Sequence, residues 1–187
     1  VLRPLTVADQ QEWHRVRREN ASFVAPWEPT LPPGSGPRPT VSFRRFVHDL
    51  DADARDDLSL PWCIEVGGAI VGQVHLFGIV RAAQQSAAVG YWLAESATGR
   101  GIATRAVALV VDHALGPAGL HRVEVNVRGD NTASLAVVQR LGLRDEGVRQ
   151  RFLHIDGRWH DHRTFAVTRE EVESAGSLLG RVSRRDG

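Results

Sequence analysis

The sequence predicts an α/β (α+β) domain: one sheet with helices packed on its faces. Three observations carry that reading. Strand-period and helix-period apolar segments follow one another in the order β-α-α-β-β-β-α-β-α-β-β. The 187 residues suit one sizeable core and are short for two. No repeat and no second core interrupts residues 1–179, which read as a single domain; residues 180–187 read as a C-terminal tail that frays.

Leu2-Arg3-Pro4-Leu5 is a short edge strand, because Pro cannot donate to a central ladder. Thr6 with Asp9 three residues later has the form of a capping box, and Trp13 and Val16 then recur at helical spacing to about Glu19. Six Pro and two Gly between Ala25 and Thr40 exclude helix and strand there and predict a surface loop, a lid over a site. Val41, Phe43, Phe46, Val47 and Leu50 share one helical face, which runs into an acidic turn at Asp51 to Asp57. Trp62–Val66 and Ala69–Leu76 make a hairpin on a tight Gly67-Gly68 turn, and Ala87–Ala94 is a further strand. After a break at Glu95 to Gly101, Ile102–Leu115 is helical and stops at Gly116-Pro117. Val123, Val125 and Val127 alternate with Glu124, Asn126 and Arg128 as a strand with one polar face. Leu135, Val138 and Leu141 form a helix ended by Gly142. A final hairpin, Val148–Ile155 and Arg158–Val167, turns at Asp156-Gly157 and leads to a short helix from Thr168.

Composition removes several function classes. The 23 basic residues offset 22 acidic ones, for a net charge of +1, so no extended nucleic-acid footprint is expected. All the basic residues are Arg. The absence of Lys excludes Schiff-base chemistry, a P-loop lysine and a Ser–Lys dyad. A single cysteine, Cys63, excludes an intrachain disulfide and a cysteine-rich zinc site, and it fits a reducing cytoplasm, the expected location. It reads as a small buried apolar residue. No apolar run approaches the roughly 20 residues of a membrane helix. The chain begins at Val1 instead of Met, so the native start is expected upstream. His160 and His162 share a strand face, but no third ligand has suitable spacing, so no metal is expected.

The chemistry-bearing segment is Thr98-Gly99-Arg100-Gly101-Ile102-Ala103-Thr104, between a strand and an apolar helix. Two glycines allow a sharp turn, and the first amides of the helix face an anion with the dipole behind them. Thirty residues on, Asn131-Thr132-Ala133-Ser134 opens another helix after another strand, either as a plain cap or as a second wall of the same cleft.

Taken with Gly90-Tyr91-Trp92-Leu93 and Leu141-Gly142-Leu143, this pattern resembles the GNAT acyltransferase superfamily. Within it the chain is similar to the RimJ/RimL-type ribosomal-protein alanine N-acetyltransferases; Pro26-Trp27-Glu28-Pro29, Glu146-Gly147 and Asp156-Gly157 fit that branch. The resemblance covers about residues 1–167, and it implies a mixed, mainly antiparallel sheet of six to seven strands with helices on both faces. One departure is Thr98, where the superfamily's loop opens with Gln or Arg.

The resemblance implies acetyl-CoA as acyl donor, with its pyrophosphate on the amides of Gly99, Arg100, Gly101, Ile102, Ala103 and Thr104. It implies pantetheine along Trp92, Leu93 and Ala94 in the manner of an added strand, and beside Asn131. Ser134 becomes the hydroxyl at the thioester sulfur, acting as acid or thiolate stabiliser. Some relatives use a Tyr as the acid, but the one tyrosine here, Tyr91, stands on a strand. RimI-type relatives carry a Glu five residues before the pantetheine-contacting Asn, where this chain has Asn126. Glu124, two residues back on the same strand face, is the candidate base, acting through water. His75 is the other candidate, and Asn126, Tyr91 and His75 are expected to face the acceptor.

An α-amine near pKa 7.8 is roughly 10% neutral at pH 7, against about 0.04% for a lysine amine near 10.4. A site without an obvious strong base therefore suits a protein N-terminus. The alternatives are a small-molecule amine (antibiotic or polyamine), a longer donor such as succinyl-CoA, or an acyl-CoA sensor without turnover. A homodimer stays open.

Overall fold

The computed structural model describes residues 1–36 and 40–186; Pro37, Arg38 and Pro39 of the proline-rich loop and Gly187 of the tail lie outside the described residues. The strands are β1 (Leu2–Arg3), β2 (Ser59–Val66), β3 (Ala69–Val80), β4 (Ser86–Leu93), β5 (Arg122–Arg128), β6 (Arg144–Ile155) and β7 (Arg158–Thr168). They form one sheet in the order β1-β2-β3-β4-β5-β7-β6. Every neighbouring pair is antiparallel except β4 and β5. Helices α1 (Gln10–Glu19), α2 (Ala21–Val24), α3 (Phe43–Arg55), α4 (Ile102–Leu115), α5 (Thr132–Leu141), α6 (Arg169–Ala175) and α7 (Leu178–Asp186) complete the fold. None of them is long and apolar enough to cross a membrane.

The alternation of each strand divides the core between the two faces. Val74 and Leu76 of β3, Val89 of β4, and Val123 and Val125 of β5 pack with Val107, Val111 and Ala114 of α4 and Val138 of α5. On the other face Trp13 of α1 and Phe43 and Val47 of α3 pack with Cys63 and Ile70. Cys63 is buried as expected, and burial pushes its thiol up from its ordinary pKa. Both hairpin turns have two residues at positive φ, Gly67 and Gly68 at 60° and 82°, Asp156 and Gly157 at 46° and 80°. That is the type I′ geometry that matches strand twist.

Three expectations need correction. The proline-rich stretch opens on a 3₁₀ turn, Ala25–Trp27; Pro26 is tolerated there because the first helical amides have no partner to lose. Helix α3 continues through the expected acidic turn to Arg55, since Asp51–Arg55 contains neither Gly nor Pro to stop it. The segment from Gly180, expected to fray, is helical to Asp186. Asp112 of α4 accepts hydrogen bonds from the amides of Leu178 (2.8 Å) and Leu179 (3.0 Å), capping α7 from a distance. Leu178 and Val182, one turn apart, are buried in the main core.

One feature of the topology positions the site. The parallel pairing of β4 with β5 lasts only from Ser86↔Arg122 to Ala88↔Glu124. Beyond it, β4 stays with β3 (Gly72↔Leu93) and β5 stays with β7 (Arg128↔His162). The two strands therefore part, each held by its outer neighbour, and the sheet opens into a wedge.

Candidate active site

A cleft of about 1030 Å³ fills this wedge. One wall is the turn from β4 into α4. After a 3₁₀ turn at Glu95–Ala97, Gly99 and Gly101 both have φ of +71°, a conformation L side chains rarely adopt. Gly101 is the N-cap of α4 and has no side chain with which to cap the first amides of the helix, which have no intrahelical partner. Gly99, Gly101, Ile102, Ala103 and Thr104 line the cleft, whereas Arg100 is exposed and does not. Trp92 and Leu93 line it, and Ala94 does not; the Ala94 amide donates to the Val71 carbonyl at 2.7 Å.

The facing wall is the turn from β5 into α5. Asn131 is the N-cap of α5, its Oδ1 accepting from the Ser134 amide at 3.0 Å. The Ser134 hydroxyl makes no such bond to backbone among the described residues. It stands beside the hydroxyl of Tyr91, which reaches under the cleft on the α4–α5 side of the sheet. Tyr91 Oη is buried with no hydrogen-bond partner among the described residues. Burial pushes this phenol up to about 12, an effect the Ser134 hydroxyl partly offsets.

The opposite face of the sheet carries the remaining polar residues. His75 of β3 lies across from Gly90 of β4. Burial holds its imidazole below the ordinary value, which favours the neutral ring. On β5, Asn126 Oδ1 accepts from Thr164 Oγ1 at 2.8 Å. Glu124 is engaged at both carboxylate oxygens: Oε1 accepts from Arg122 at 2.9 Å and Oε2 from Arg149 at 2.5 Å. His160 and His162 each place a ring nitrogen near a backbone carbonyl, of Ile155 (3.2 Å) and His160 (3.1 Å) respectively. Among the described residues no group of three or more His, Cys, Asp or Glu could hold a metal.

The loop after α2 closes this side. Trp27, Glu28 and Pro29 line the cleft. Arg128 donates to the Pro26 carbonyl (2.7 Å) and to both oxygens of Asp130, and its guanidinium lies 4.5 Å from the Trp27 ring centre. Thr30 donates from its amide to the His154 carbonyl at 2.8 Å. Arg17 pairs with Glu28 and stacks on Trp92 at 4.9 Å. The sequence had marked the loop as a lid but none of these anchors. Arg17, Phe77, Arg149 and Phe152, which also line the cleft, carried no local signal; they arrive from α1, β3 and β6 only on folding.

Comparison with known proteins places this arrangement. Residues 1–144 match the family model described as an acetyltransferase (GNAT) domain. The chain is 39% identical over 176 residues to a Bacillus subtilis protein named "Probable N-acetyltransferase YjcK", covering 92% of this chain and 95% of the relative. It is 26% identical over 168 residues to the ribosomal protein uS5-alanine N-acetyltransferase of Escherichia coli, covering 87% and 84%. Among solved structures it is similar to Mycobacterium smegmatis RimJ in complex with CoA-disulfide, with a TM-score of 0.88, 36% identity, and coverage of 99% of this chain and 88% of that one. The chain belongs to the GNAT acetyltransferase family, with RimJ-type ribosomal-protein acetyltransferases among its relatives.

Proposed function

We propose that the protein transfers an acetyl group from acetyl-CoA to the α-amine of a protein N-terminus. The observation that carries this reading is the parting of β4 from β5 beside an uncapped helix start with two positive-φ glycines. The glycine turn and the amides of Gly99 to Thr104 suit a pyrophosphate, and the unpaired edge of β4 at Trp92–Leu93 suits the amide-bearing pantetheine arm. Asn131 keeps its Nδ2 for that arm while its Oδ1 caps α5. The bound thioester supplies an activated acetyl carbon and a thiolate leaving group.

The chain's own residues do the rest. Ser134 offers its hydroxyl to the sulfur, and the buried Tyr91 phenol beside it stays protonated across the physiological range. The wedge holds donor and acceptor together with the Trp27–Pro29 loop as one wall, so positioning supplies much of the rate gain. Both oxygens of Glu124 are held by arginines, which favours an acceptor that arrives partly neutral, as an α-amine does near pH 7.

Acetyl-CoA-dependent thiol release is the test, measured on short peptides with varied first residues beside polyamines and aminoglycosides. Turnover confined to peptides supports the reading. Turnover confined to small amines replaces it with a small-molecule acyltransferase, and CoA binding without any transfer replaces it with a sensor. Ser134→Ala is expected to lower kcat by about 10- to 100-fold with little change in CoA affinity.

A further inference from the structure

The proposed transfer needs a proton acceptor, and five titratable groups other than arginine line the cleft among the described residues; one of them, the Tyr91 phenol, is kept protonated by burial. Glu124 is bound by Arg122 and Arg149. Glu28, on the loop, is bound by Arg17. His162 has Nδ1 near the His160 carbonyl and lies against the Phe152 ring; burial, with a smaller contribution from the Arg128 cation paired across the sheet, holds its imidazole below the ordinary value. His75 is left.

Its surroundings differ from the others in kind. Nδ1 of His75 is buried and has no hydrogen-bond partner. Nε2 also has no partner among the described residues, yet it is not among the buried orphans, and the residue lines the cleft. The ring rests over Gly90 and against Phe77, whose ring centre is 4.9 Å away. Gly90 leaves room for this ring: a Cβ there would stand 3.0 Å from His75 Cε1, 3.2 Å from Phe77 Cε1 and 3.3 Å from His75 Nε2. The register also puts His75 in a functional row. His75 pairs with Gly90 on one side of the wedge, and Asn126 pairs with Thr164 on the other. Counted from the last parallel pair, Ala88↔Glu124, Gly90 and Asn126 stand at the same level.

We propose that His75 Nε2 accepts the proton of the attacking amine. This rests on the acetyl-transfer reading above. As the amine lone pair forms the N–C bond to the acetyl carbon, the nitrogen becomes far more acidic than the parent ammonium, so a neutral imidazole is base enough. The C–S bond breaks, its electron pair leaves on sulfur facing Ser134, and the N–H proton passes to Nε2. The proton then leaves with the departing thiolate, or to water, and restores the neutral ring.

The experiment uses the full chain with acetyl-CoA and whichever amine the wild type accepts. His75→Gln is expected to lower kcat about 100-fold, with the acceptor KM within about 3-fold and CoA affinity by calorimetry unchanged. His75→Ala should regain turnover in proportion to added imidazole, which a packing role would not produce. Gly90→Ala, which keeps the histidine but crowds its ring, should lower kcat by more than 10-fold; it keeps the test standing should His75→Gln not fold. His75→Gln retaining more than half of wild-type kcat overturns the proposal. So does His75→Ala without imidazole rescue alongside a His162→Gln variant that loses turnover. A wild type that acetylates small amines but no peptide overturns only the N-terminal reading, while one that transfers to no amine overturns both.

Discussion

Gly72 sits inside β3, where a glycine weakens a strand unless another backbone comes close. A Cβ at this position would lie 2.3 Å from the Trp92 carbonyl oxygen, 2.8 Å from Leu93 Cδ2 and 3.1 Å from Leu93 Cα. The first of these is a backbone atom of the neighbouring strand, so no rotamer change relieves it. Gly72→Ala therefore requires the end of β4 to move by about 1 Å, judged against ordinary contact distances. Overpacking of this kind costs about 1–3 kcal/mol, and a clash with a strand carbonyl belongs at the upper end. For a chain of this size, about 3 kcal/mol corresponds to a fall in Tm of roughly 6–12 °C. The same displacement moves Trp92 and Leu93, the edge proposed to hold pantetheine, so CoA affinity should fall about 10-fold. Thermal unfolding by circular dichroism and calorimetry with CoA measure both effects. Gly129→Ala, whose Cβ would meet nothing within 4 Å, is the control. A Gly72→Ala melting point within about 1 °C of wild type would refute the packing argument.

Further expectations concern the turn, the lid and the acid limb. Gly101→Ala meets only the Arg105 side chain, at 3.6 Å, so its penalty is the left-handed backbone at φ +71°, about 1 kcal/mol, read as roughly 5-fold weaker CoA binding by calorimetry. Arg128→Ala removes the ties to Pro26 and Trp27; acceptor KM should rise, CoA affinity should hold, and limited proteolysis within residues 28–36 should quicken. The Arg3 guanidinium holds the Asp9 carboxyl at about 2, well below its ordinary 3.8. The folded pKa is depressed, so the pair stabilises the fold above pH 4, and that contribution is lost as pH falls from about 4 through 2. With Asp9 only 12% exposed, it amounts to about 2 kcal/mol. Denaturant midpoints across pH 2–5 should show this limb flattened in Asp9→Asn.

Much of the candidate site was legible because it is local. The Gly99–Gly101 turn, the uncapped start of α4 and the Asn131 cap each depend on the φ/ψ preferences and polar reach of a few adjacent residues. Glu124 shows the limit. Strand alternation put it on the polar face, yet Arg149, 25 residues on, decides what its carboxylate does. Tyr91 likewise reads as a strand residue, and only the packing of α5 brings Ser134 to its hydroxyl.

The sequence by itself determined the order of the seven strands and of helices α1, α3, α4, α5 and α6, the two tight hairpin turns and the glycine turn that leads into α4, because hydrophobic period and backbone preference act over a few residues. The tertiary structure alone decided that β4 and β5 part after Ala88 and Glu124, that Asp112 caps α7, and that Arg128 holds the lid. Those contacts join residues 66 to 102 positions apart, or depend on which neighbour each strand keeps, and no local pattern encodes either.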